Sequence, residues 1–319
     1  MLLEISKQLG LPVKKVMDML WALKSSQIEN NDLVRRVGIS RNVINQVKEG
    51  LENLLEPVSG KTALNDQGRN VVGELFLGSY ETEESMWAFL ERNNQFGKVV
   101  NLLKGYKNLR AEPKRDYDQF TATIETTTRR AILMDFFEDI KGKRILFLGD
   151  DDFTSVAVSH VGKPARVCVL DIDPRILEGI KIASAGIETT KYDARKVLPD
   201  ELRGKFDVVF TDPPYTTEGV SLFLSRAIEA LDINGNQAAR IYFCYGNSDR
   251  AKERFLPIYG VVIKSGLMMR WVFDKFNRYT GAESIGSASS LFICDITPKT
   301  KVLIHGTYSE NIYTTKNSV

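Results

Sequence analysis

The chain has 319 residues, of which 43% are hydrophobic and 26% are charged, and its formal net charge is +2. The length predicts two domains, because a single hydrophobic core stops growing at roughly 250–300 residues. The small net charge means that the chain has no strong overall electrostatic attraction for nucleic acid or a membrane. No run approaches the ~18 apolar residues of a membrane span. The opening MLLEISKQLG lacks the basic start and cleavage site of a signal peptide, so we expect a cytoplasmic protein.

Histidine and cysteine are scarce. The two histidines are His160 and His305, so acid–base chemistry falls to carboxylates. The three cysteines, Cys168, Cys244 and Cys294, lie far apart in apolar runs, which predicts small buried core residues. We therefore expect no metal site and no permanently bound cofactor.

The first part of the chain has a helical pattern. Apolar residues recur at helical spacing over residues 13–23, and an amphipathic helix over residues 41–55 precedes a hairpin-like segment, PVSGKTALNDQG. This layout resembles a winged helix over roughly residues 1–80. Residues 41–56 carry two basic and three acidic side chains, whereas a recognition helix presents a basic surface to phosphates. We expect a dimerisation or substrate-lid role rather than DNA binding.

A composition change marks a second domain. A helical stretch from about Glu83 to Leu103 leads into the polar segment KGYKNLRAEPKRDYDQ, where we place the boundary. The predicted domains are a winged-helix-like domain over 1–110, a catalytic domain over 111–305 and a polar tail over 306–319. The predicted strands of the catalytic domain are RILFLGD, ARVCVLDID, FDVVFTDPP, ARIYFCYG, VVIKSG, GLMMRWVFDKF and SLFICDI. Strands that alternate with helices predict an α/β fold with a mostly parallel sheet and helices on both faces, with ligands at the carboxyl ends of the strands.

Acidic residues follow three of the predicted strands and one further strand-like segment, which ends before KYDARKV. In chain order these are Gly149-Asp150-Asp151-Asp152, Asp171 with Asp173, Asp193, and Asp212-Pro213-Pro214-Tyr215. A carboxylate at the end of the second strand usually accepts two hydrogen bonds from a ribose diol. The third position often holds an adenine amino group. The order and spacing of these acidic residues resemble the pattern of the Rossmann-like class I methyltransferase superfamily.

The Asp-Pro-Pro-Tyr tetrapeptide is more specific than the single acids. In amino-methyltransferases a similar motif binds a nitrogen nucleophile through the Asp side chain and a proline-constrained carbonyl, with the aromatic ring packed over it. The prolines fix the backbone. The alternative interpretation is a turn that ends the strand.

The loop after the first strand departs from ordinary methyltransferases, which carry glycines there. Asp150, Asp151 and Asp152 would repel the carboxylate of ordinary S-adenosylmethionine, by about 4 kcal/mol per charge pair at ~4 Å and an effective dielectric of about 20. The loop therefore suits decarboxylated S-adenosylmethionine, a cationic acceptor, or both. An exposed acidic turn and a magnesium site are the alternatives.

Six segments together closely resemble the branched-chain polyamine synthase family, the N4-bis(aminopropyl)spermidine synthases. They are Tyr117-Asp118-Gln119, Ala122-Thr123, Glu125-Thr126, GDDDFTSVA, DIDPRIL and DPPYTTEG. The resemblance covers about residues 115–300 and the winged-helix-like front. It implies two aminopropyl transfers from decarboxylated S-adenosylmethionine, as co-substrate, to the secondary amine of spermidine, with release of methylthioadenosine. It also implies a homodimer, and its Gly-Asp-Asp-Asp motif implies that Asp152 is the catalytic acid–base residue.

The remaining site residues divide into two predicted groups. The donor group is Gln119, Gly149, Asp150, Asp171 and Asp193, and the acceptor group is Asp151, Asp173, Asp212, Pro213, Tyr215 and Glu218. The rival hypothesis is an amino-methyltransferase that acts on nucleic acid. The three consecutive aspartates, Asp150 to Asp152, and the poorly basic helix predicted over residues 41–55 argue against it. A winged-helix regulator with a ligand-sensing domain is the third hypothesis.

Overall fold

The structure is a computed structural model and describes residues 1–30, 33, 37, 41–78, 80, 90, 92–246, 252–280 and 288–314. It divides into two compact units, one of residues 1–92 with 136–138 and 236–238, and one of the remaining residues. The boundary predicted after residue 110 falls inside the second unit, because helix Phe96–Gly105 packs there against helix Thr154–Val161. Among the residues described, none of the helices has the length and apolar character needed to span a membrane.

The N-terminal unit contains helices and one hairpin. Its elements are α1 (Leu2–Leu9), α2 (Val13–Leu23), α3 (Arg41–Gly50), β1 (Leu55–Val58), β2 (Lys61–Leu64) and α4 (Asp66–Leu75). The antiparallel pairing of β1 with β2 confirms the predicted hairpin. Helix α3 ends at Gly50, earlier than predicted, and a 3-10 turn over Glu52–Leu54 follows it. The winged-helix assignment of this unit stays a prediction.

The second unit contains a seven-stranded sheet in the order β5-β4-β3-β6-β7-β9-β8. Strands β3 to β7 are parallel, and β9 runs antiparallel to both of its neighbours. This arrangement confirms the predicted α/β fold with a mostly parallel sheet. The elements are α5 (Phe96–Gly105), α6 (Ile124–Phe136), β3 (Arg144–Leu148), α7 (Thr154–Val161), β4 (Arg166–Asp171), α8 (Pro174–Ala183), β5 (Glu188–Lys191), β6 (Val208–Thr211), α9 (Thr217–Ala230), β7 (Arg240–Tyr245), α10 (Phe255–Lys264), β8 (Met268–Arg278) and β9 (Ala288–Asp295), with 3-10 turns at Lys107–Leu109, Arg115–Tyr117, Asp200–Leu202 and Lys252–Arg254.

Both faces of this sheet are buried. Side chains alternate between the faces of a strand, and in β3 both Ile145 and Phe147 on one face and Leu146 and Leu148 on the other are buried. The strands are therefore continuous apolar runs, as expected for a parallel sheet covered by helices on both sides. The three cysteines are free and buried, as predicted.

One predicted strand is wrong. The segment VVIKSG was expected to be extended because it is rich in β-branched residues, but its first four residues are the last turn of α10. Ile258, Val261 and Val262 are buried on this helix, whereas Ile263 is exposed. The buried positions recur at helical spacing, so packing of one helix face overrides the local β propensity.

Candidate active site

A cavity of about 340 Å³ opens at the carboxyl ends of β3, β4, β5 and β6. Its size is at the lower end of the range for small-molecule sites. In an open α/β sheet, this edge is where ligands bind. The walls consist of Tyr117, Asp118, Gln119, Phe120, Leu148, Gly149, Asp151, Leu170, Asp171, Ile172, Tyr192, Asp193, Ala194, Asp212, Pro213, Pro214, Tyr215, Phe223, Gly246, Arg254, Tyr279, Tyr313 and Thr314.

The structure brings eight of the twelve predicted site residues to this cavity. They are Gln119, Gly149, Asp151, Asp171, Asp193, Asp212, Pro213 and Tyr215. Asp150, Asp152 and Asp173 lie behind the wall and are buried. Glu218 is exposed in the first turn of α9 and does not line the cavity.

The three consecutive aspartates point in different directions. Gly149 and Phe153 both have a positive φ, of 78° and 59°, so the loop between them turns sharply. Asp150 turns towards α7, where its carboxylate accepts hydrogen bonds from the backbone N–H of Thr154 at 2.7 Å and of Ser155 at 3.1 Å. It therefore satisfies backbone N–H groups in the first turn of α7 that have no partner within the helix. Burial nevertheless raises the pKa of Asp150 to about 8.

Asp151 is the member of the triplet that faces the cavity. Among the described residues, its carboxylate forms no hydrogen bond or ion pair with the protein. Burial raises its pKa well above the usual range, and the nearby carboxylates of Asp152, Asp212 and Asp171 raise it further, whereas Arg110 lowers it. Asp151 is thus a carboxyl group that can hold or release a proton in the cavity.

Asp152 is held between two arginines. Its Oδ2 accepts a hydrogen bond from Arg130 Nη1 at 2.7 Å, and its Oδ1 accepts one from Arg110 Nη2 at 3.2 Å. The backbone N–H of Ala122 also donates to Oδ1. Both carboxylate oxygens are therefore engaged, and the side chain is 3% exposed.

Asp212, at the end of β6, is the centre of a second set of contacts. Its Oδ2 accepts from Arg130 Nη2 at 2.9 Å and from the Tyr279 hydroxyl at 2.6 Å, and its Oδ1 accepts from the Tyr215 hydroxyl at 3.0 Å. The two tyrosine hydroxyls also lie 3.0 Å apart. Burial raises the pKa of Asp212, while Arg130 opposes this shift. The Asp-Pro-Pro-Tyr motif is thus fixed by groups from distant segments.

The expected donor residues occupy the neighbouring strand ends. Asp171 Oδ1 accepts from the N–H of Asp173 at 2.8 Å, and its Oδ2 accepts from the N–H of Asp150 at 3.1 Å. Burial raises the pKa of Asp171 to about 6. Asp193 pairs with Arg195, whose Nη2 lies 2.8 Å from Oδ2. Burial opposes its ionisation, but the hydrogen bonds and charge of Arg195 lower its pKa.

Asp173 stabilises the start of a helix and does not line the cavity. It lies before α8, where its Oδ1 accepts from the N–H of Arg175 at 3.0 Å, and its Oδ2 lies 2.6 Å from Arg175 Nη2. Although burial opposes its ionisation, these contacts lower its pKa. Its negative charge is therefore already compensated at the first turn of a helix.

Two segments remote in sequence meet at one wall of the cavity. The N–H of Thr314 donates to Asp118 Oδ2 at 2.7 Å, and the rings of Tyr117 and Tyr313 lie 5.9 Å apart. The Thr216 hydroxyl donates to the carbonyl of Ile312 at 2.7 Å, which attaches the same segment to the start of α9. The described part of the predicted tail, 306–314, therefore packs on the site in this structure.

Several residues at the site were missed by the sequence analysis, namely Arg110, Arg130, Tyr279 and Tyr313. A signal existed for Arg130, because it lies four residues from both Thr126 and Met134, which are fully buried on α6. A charged residue on a buried helical face indicates a buried partner. No comparable signal marks Tyr279, whose contacts join positions 67 residues apart in the chain.

The sheet order, the cavity at the strand ends and the acids that line it define the Rossmann-like fold of class I methyltransferases. Residues 98–318 match the family model described as branched-chain polyamine synthase A C-terminal domain. The chain belongs to this family.

Relatives with curated names agree with this family. An N(4)-bis(aminopropyl)spermidine synthase of Thermococcus kodakarensis is 35% identical over 190 residues, 58% of this chain and 53% of the relative. A protein of the same name from Methanocaldococcus jannaschii is 30% identical over 308 residues, 92% of this chain and 87% of the relative. An uncharacterized protein of that organism is 39% identical over 224 residues, 69% of this chain and 55% of the relative. The chain thus spans about half the length of two of these relatives.

Solved structures show the same fold. The branched-chain polyamine synthase of Thermus thermophilus, in complex with N4-aminopropylspermidine and 5'-methylthioadenosine, has a TM-score of 0.61 at 22% identity, covering 98% of this chain and 96% of that one. A putative RNA methyltransferase of Pyrococcus horikoshii has a TM-score of 0.50 at 16% identity, covering 64% of this chain and 98% of that one.

Proposed function

We propose that the chain is an aminopropyltransferase that moves aminopropyl groups from decarboxylated S-adenosylmethionine to the secondary amine of spermidine. The family and the relatives named N(4)-bis(aminopropyl)spermidine synthase support this activity. The structure with N4-aminopropylspermidine and 5'-methylthioadenosine belongs to a protein of the same fold, and those ligands correspond to an acceptor after one transfer and to the spent donor.

The charge of the cavity is the observation that carries the proposal. Five aspartates line the cavity: Asp118, Asp151, Asp171, Asp193 and Asp212. Arginines compensate two of them, Asp193 and Asp212, whereas Asp151 has no partner among the described residues. A polyamine and a donor that ends in an ammonium group supply the missing positive charge. The carboxylate of ordinary S-adenosylmethionine would add negative charge to the same cavity.

The reaction is an in-line displacement. The lone pair of the spermidine secondary amine attacks the aminopropyl carbon bound to the sulfonium, the carbon–sulfur bond breaks, and methylthioadenosine leaves with the bonding electrons. Because the secondary amine is protonated at neutral pH, a carboxylate must take that proton before the lone pair can attack. The cavity orients the two reactants, which removes much of the entropic barrier of a bimolecular step.

Asp151 is the proton acceptor in this mechanism. It faces the cavity, forms no hydrogen bond or ion pair with a described residue and has a pKa raised by burial, all of which suit a general base. Asp152, the acceptor implied by the family resemblance, stays a prediction. Its two carboxylate oxygens already bind Arg110 and Arg130, so its role in this mechanism is that of a counter-ion.

The decisive experiment is mass spectrometry of the products. The enzyme is incubated with decarboxylated or ordinary S-adenosylmethionine and with a panel of polyamines that contains spermidine. We expect methylthioadenosine and spermidine that carries one and then two aminopropyl groups, only with the decarboxylated donor. Methylated products with the ordinary donor, or no transfer to any amine, would overturn the proposed function.

We also propose that the protein acts in the cytoplasm and, as the family resemblance implies, that it is a homodimer in solution. Sedimentation equilibrium of the purified chain tests the assembly. A mass near 72 kDa, twice the 36.0 kDa of one chain, supports the dimer, and a mass near that of one chain contradicts it.

A further inference from the structure

Arg130 is a fully buried cation that lies behind the cavity wall. It comes from α6 and its side chain is 1% exposed. Its Nε donates to Asn277 Oδ1 at 2.8 Å, its Nη1 to Asp152 at 2.7 Å, and its Nη2 to Asp212 at 2.9 Å. One guanidinium group therefore joins the end of β6, the loop after β3 and the end of β8.

The planar guanidinium explains why an arginine occupies this place. Its three nitrogens donate in different directions of one plane, so it can bind two carboxylates and an amide at once, which a lysine cannot do. The Tyr279 hydroxyl lies 3.1 Å from Nη2 and supports the same carboxylate of Asp212. Burying a cation in this way is costly unless it is paired, and here both of its carboxylate partners approach within hydrogen-bond distance.

The same contacts separate the carboxylates into two kinds. Asp152 and Asp212 each accept at least one guanidinium N–H, whereas Asp151 accepts none from the described residues. Two arginines, Arg110 and Arg130, thus compensate two carboxylates of the cluster and leave the third to the cavity.

We propose that Arg130 is a positioning residue that binds Asp152 and Asp212 and holds both in place, so that Asp151 is the carboxyl group of this cluster that exchanges a proton in the reaction. The proposal rests on the proposed function and adds to it a role for a residue that does not line the cavity. Arg130 acts through Asp212, which orients the amine, and through the positive charge that it supplies to Asp152 and Asp212, two of the carboxylates that raise the pKa of Asp151.

Loss of the guanidinium charge should change the pKa of Asp151 in one direction. Asp151 and Asp212 would then face the other carboxylates with one cation fewer, so the pKa of Asp151 rises and a higher pH is needed to generate the base. Among the described residues, the titratable and charged groups around these two carboxylates include Asp152, Asp171, Arg110, Arg130, Cys244, Tyr215 and Tyr279.

The test compares pH–rate profiles of the full chain with Arg130→Met, Arg130→Lys and the charge-balanced Arg130→Met/Asp152→Asn. In Arg130→Met we expect the acid limb of kcat to move to higher pH by about one unit or more. In Arg130→Lys we expect an unmoved limb but a kcat reduced at least about tenfold, because Asp212 is no longer held in place. The double variant should return the limb towards the wild-type pH.

The outcomes separate this inference from the proposed function. If wild-type enzyme shows no aminopropyl transfer, the proposed function fails. If wild-type enzyme is active and Arg130→Met keeps the wild-type acid limb, Arg130 has a merely structural role and the inference fails alone. Should Arg130→Met not fold, Arg130→Lys decides, because a near-normal kcat in that variant contradicts the positioning role.

Discussion

Two buried arginine–aspartate clusters lie at opposite ends of the same sheet. In the first, Arg240 at the start of β7 donates to Asp139 at 2.7 Å and to Asp295 at 2.8 Å, and Arg270 donates to Asp295 at 2.7 Å. Tyr242 also donates to Asp139. Two guanidinium groups thus meet two carboxylates, and the cavity walls include none of these residues.

The second cluster, at the carboxyl ends of the strands, also consists of arginines and aspartates, but the aspartates outnumber the arginines. Arg110 and Arg130 meet Asp151, Asp152 and Asp212, so one carboxylate exceeds the number of arginines. That carboxylate is Asp151, which faces the cavity. Burial of charge alone therefore does not mark a functional site, whereas an uncompensated charge that faces a cavity indicates what the ligand must supply.

The largest expected effect is a loss of stability in the first cluster, where two arginines meet two carboxylates. Arg240→Met leaves Asp139 buried without its cation and Asp295 with Arg270 alone, and removal of one partner of a buried pair typically costs about 3–5 kcal/mol of unfolding free energy. Urea denaturation measures the loss. Because the cluster lies away from the cavity, we expect folded Arg240→Met to keep the wild-type acid limb of kcat. A shifted limb would show that the two clusters are not independent.

A smaller effect is expected at the donor end of the site. Asp171→Ala removes a charged acceptor for the ribose hydroxyls and should weaken donor binding by about 1.5–3 kcal/mol. Calorimetry with decarboxylated S-adenosylmethionine measures it, and Asp200→Ala is a control because that side chain is 99% exposed. Equal donor affinity in wild type and Asp171→Ala would remove Asp171 from the donor site.

Tyr279→Phe tests the support of Asp212. The hydroxyl donates to Asp212 at 2.6 Å, so its loss should cost about 0.5–1.5 kcal/mol of transition-state stabilisation. Steady-state kinetics should show the loss in kcat rather than in the donor KM. An unchanged kcat would mean that Arg130 and Tyr215 hold Asp212 without help.

Carboxyl groups at the two ends of the sheet also predict opposite pH dependences of stability. Asp171, with its pKa raised to about 6, and Asp150, raised to about 8, contribute stability below their unfolded pKa that is lost as the pH rises through those values. Burial opposes the ionisation of Asp295, but Arg240 and Arg270 lower its pKa, so its contribution is lost only in acid. Spermidine should therefore raise Tm more at pH about 8.5 than at pH about 5, by about 2–4 °C. An equal increment at both pH values would contradict this electrostatic account.

The part of the site that consists of residues at strand ends could be predicted from the sequence. Asp171 and Asp212 follow apolar runs, and the topology of a parallel sheet brings such positions to one edge. The directions of Asp150, Asp151 and Asp152 were not predictable, because they depend on the positive φ of Gly149 and Phe153.

Long-range pairing explains most of what the sequence analysis missed. Arg130 meets Asp212 across 82 positions and Tyr279 across 149, and no local pattern records such contacts. The strand predicted at VVIKSG failed for a related reason. Its β-branched composition is a local signal, while the packing that makes it part of α10 is tertiary.

The central claim is that Asp151 accepts the proton of the attacking amine, and the pH–rate profiles of Asp151→Asn and Asp152→Asn test it most directly. With saturating donor and spermidine, we predict that kcat of Asp151→Asn falls by at least about 10²-fold and partly recovers at alkaline pH, where more amine is already neutral. Asp152→Asn should lose stability and show no such recovery. If Asp151→Asn keeps a near-normal kcat, or if Asp152→Asn is the variant that alkali rescues, the claim is contradicted and the assignment to Asp152 is correct.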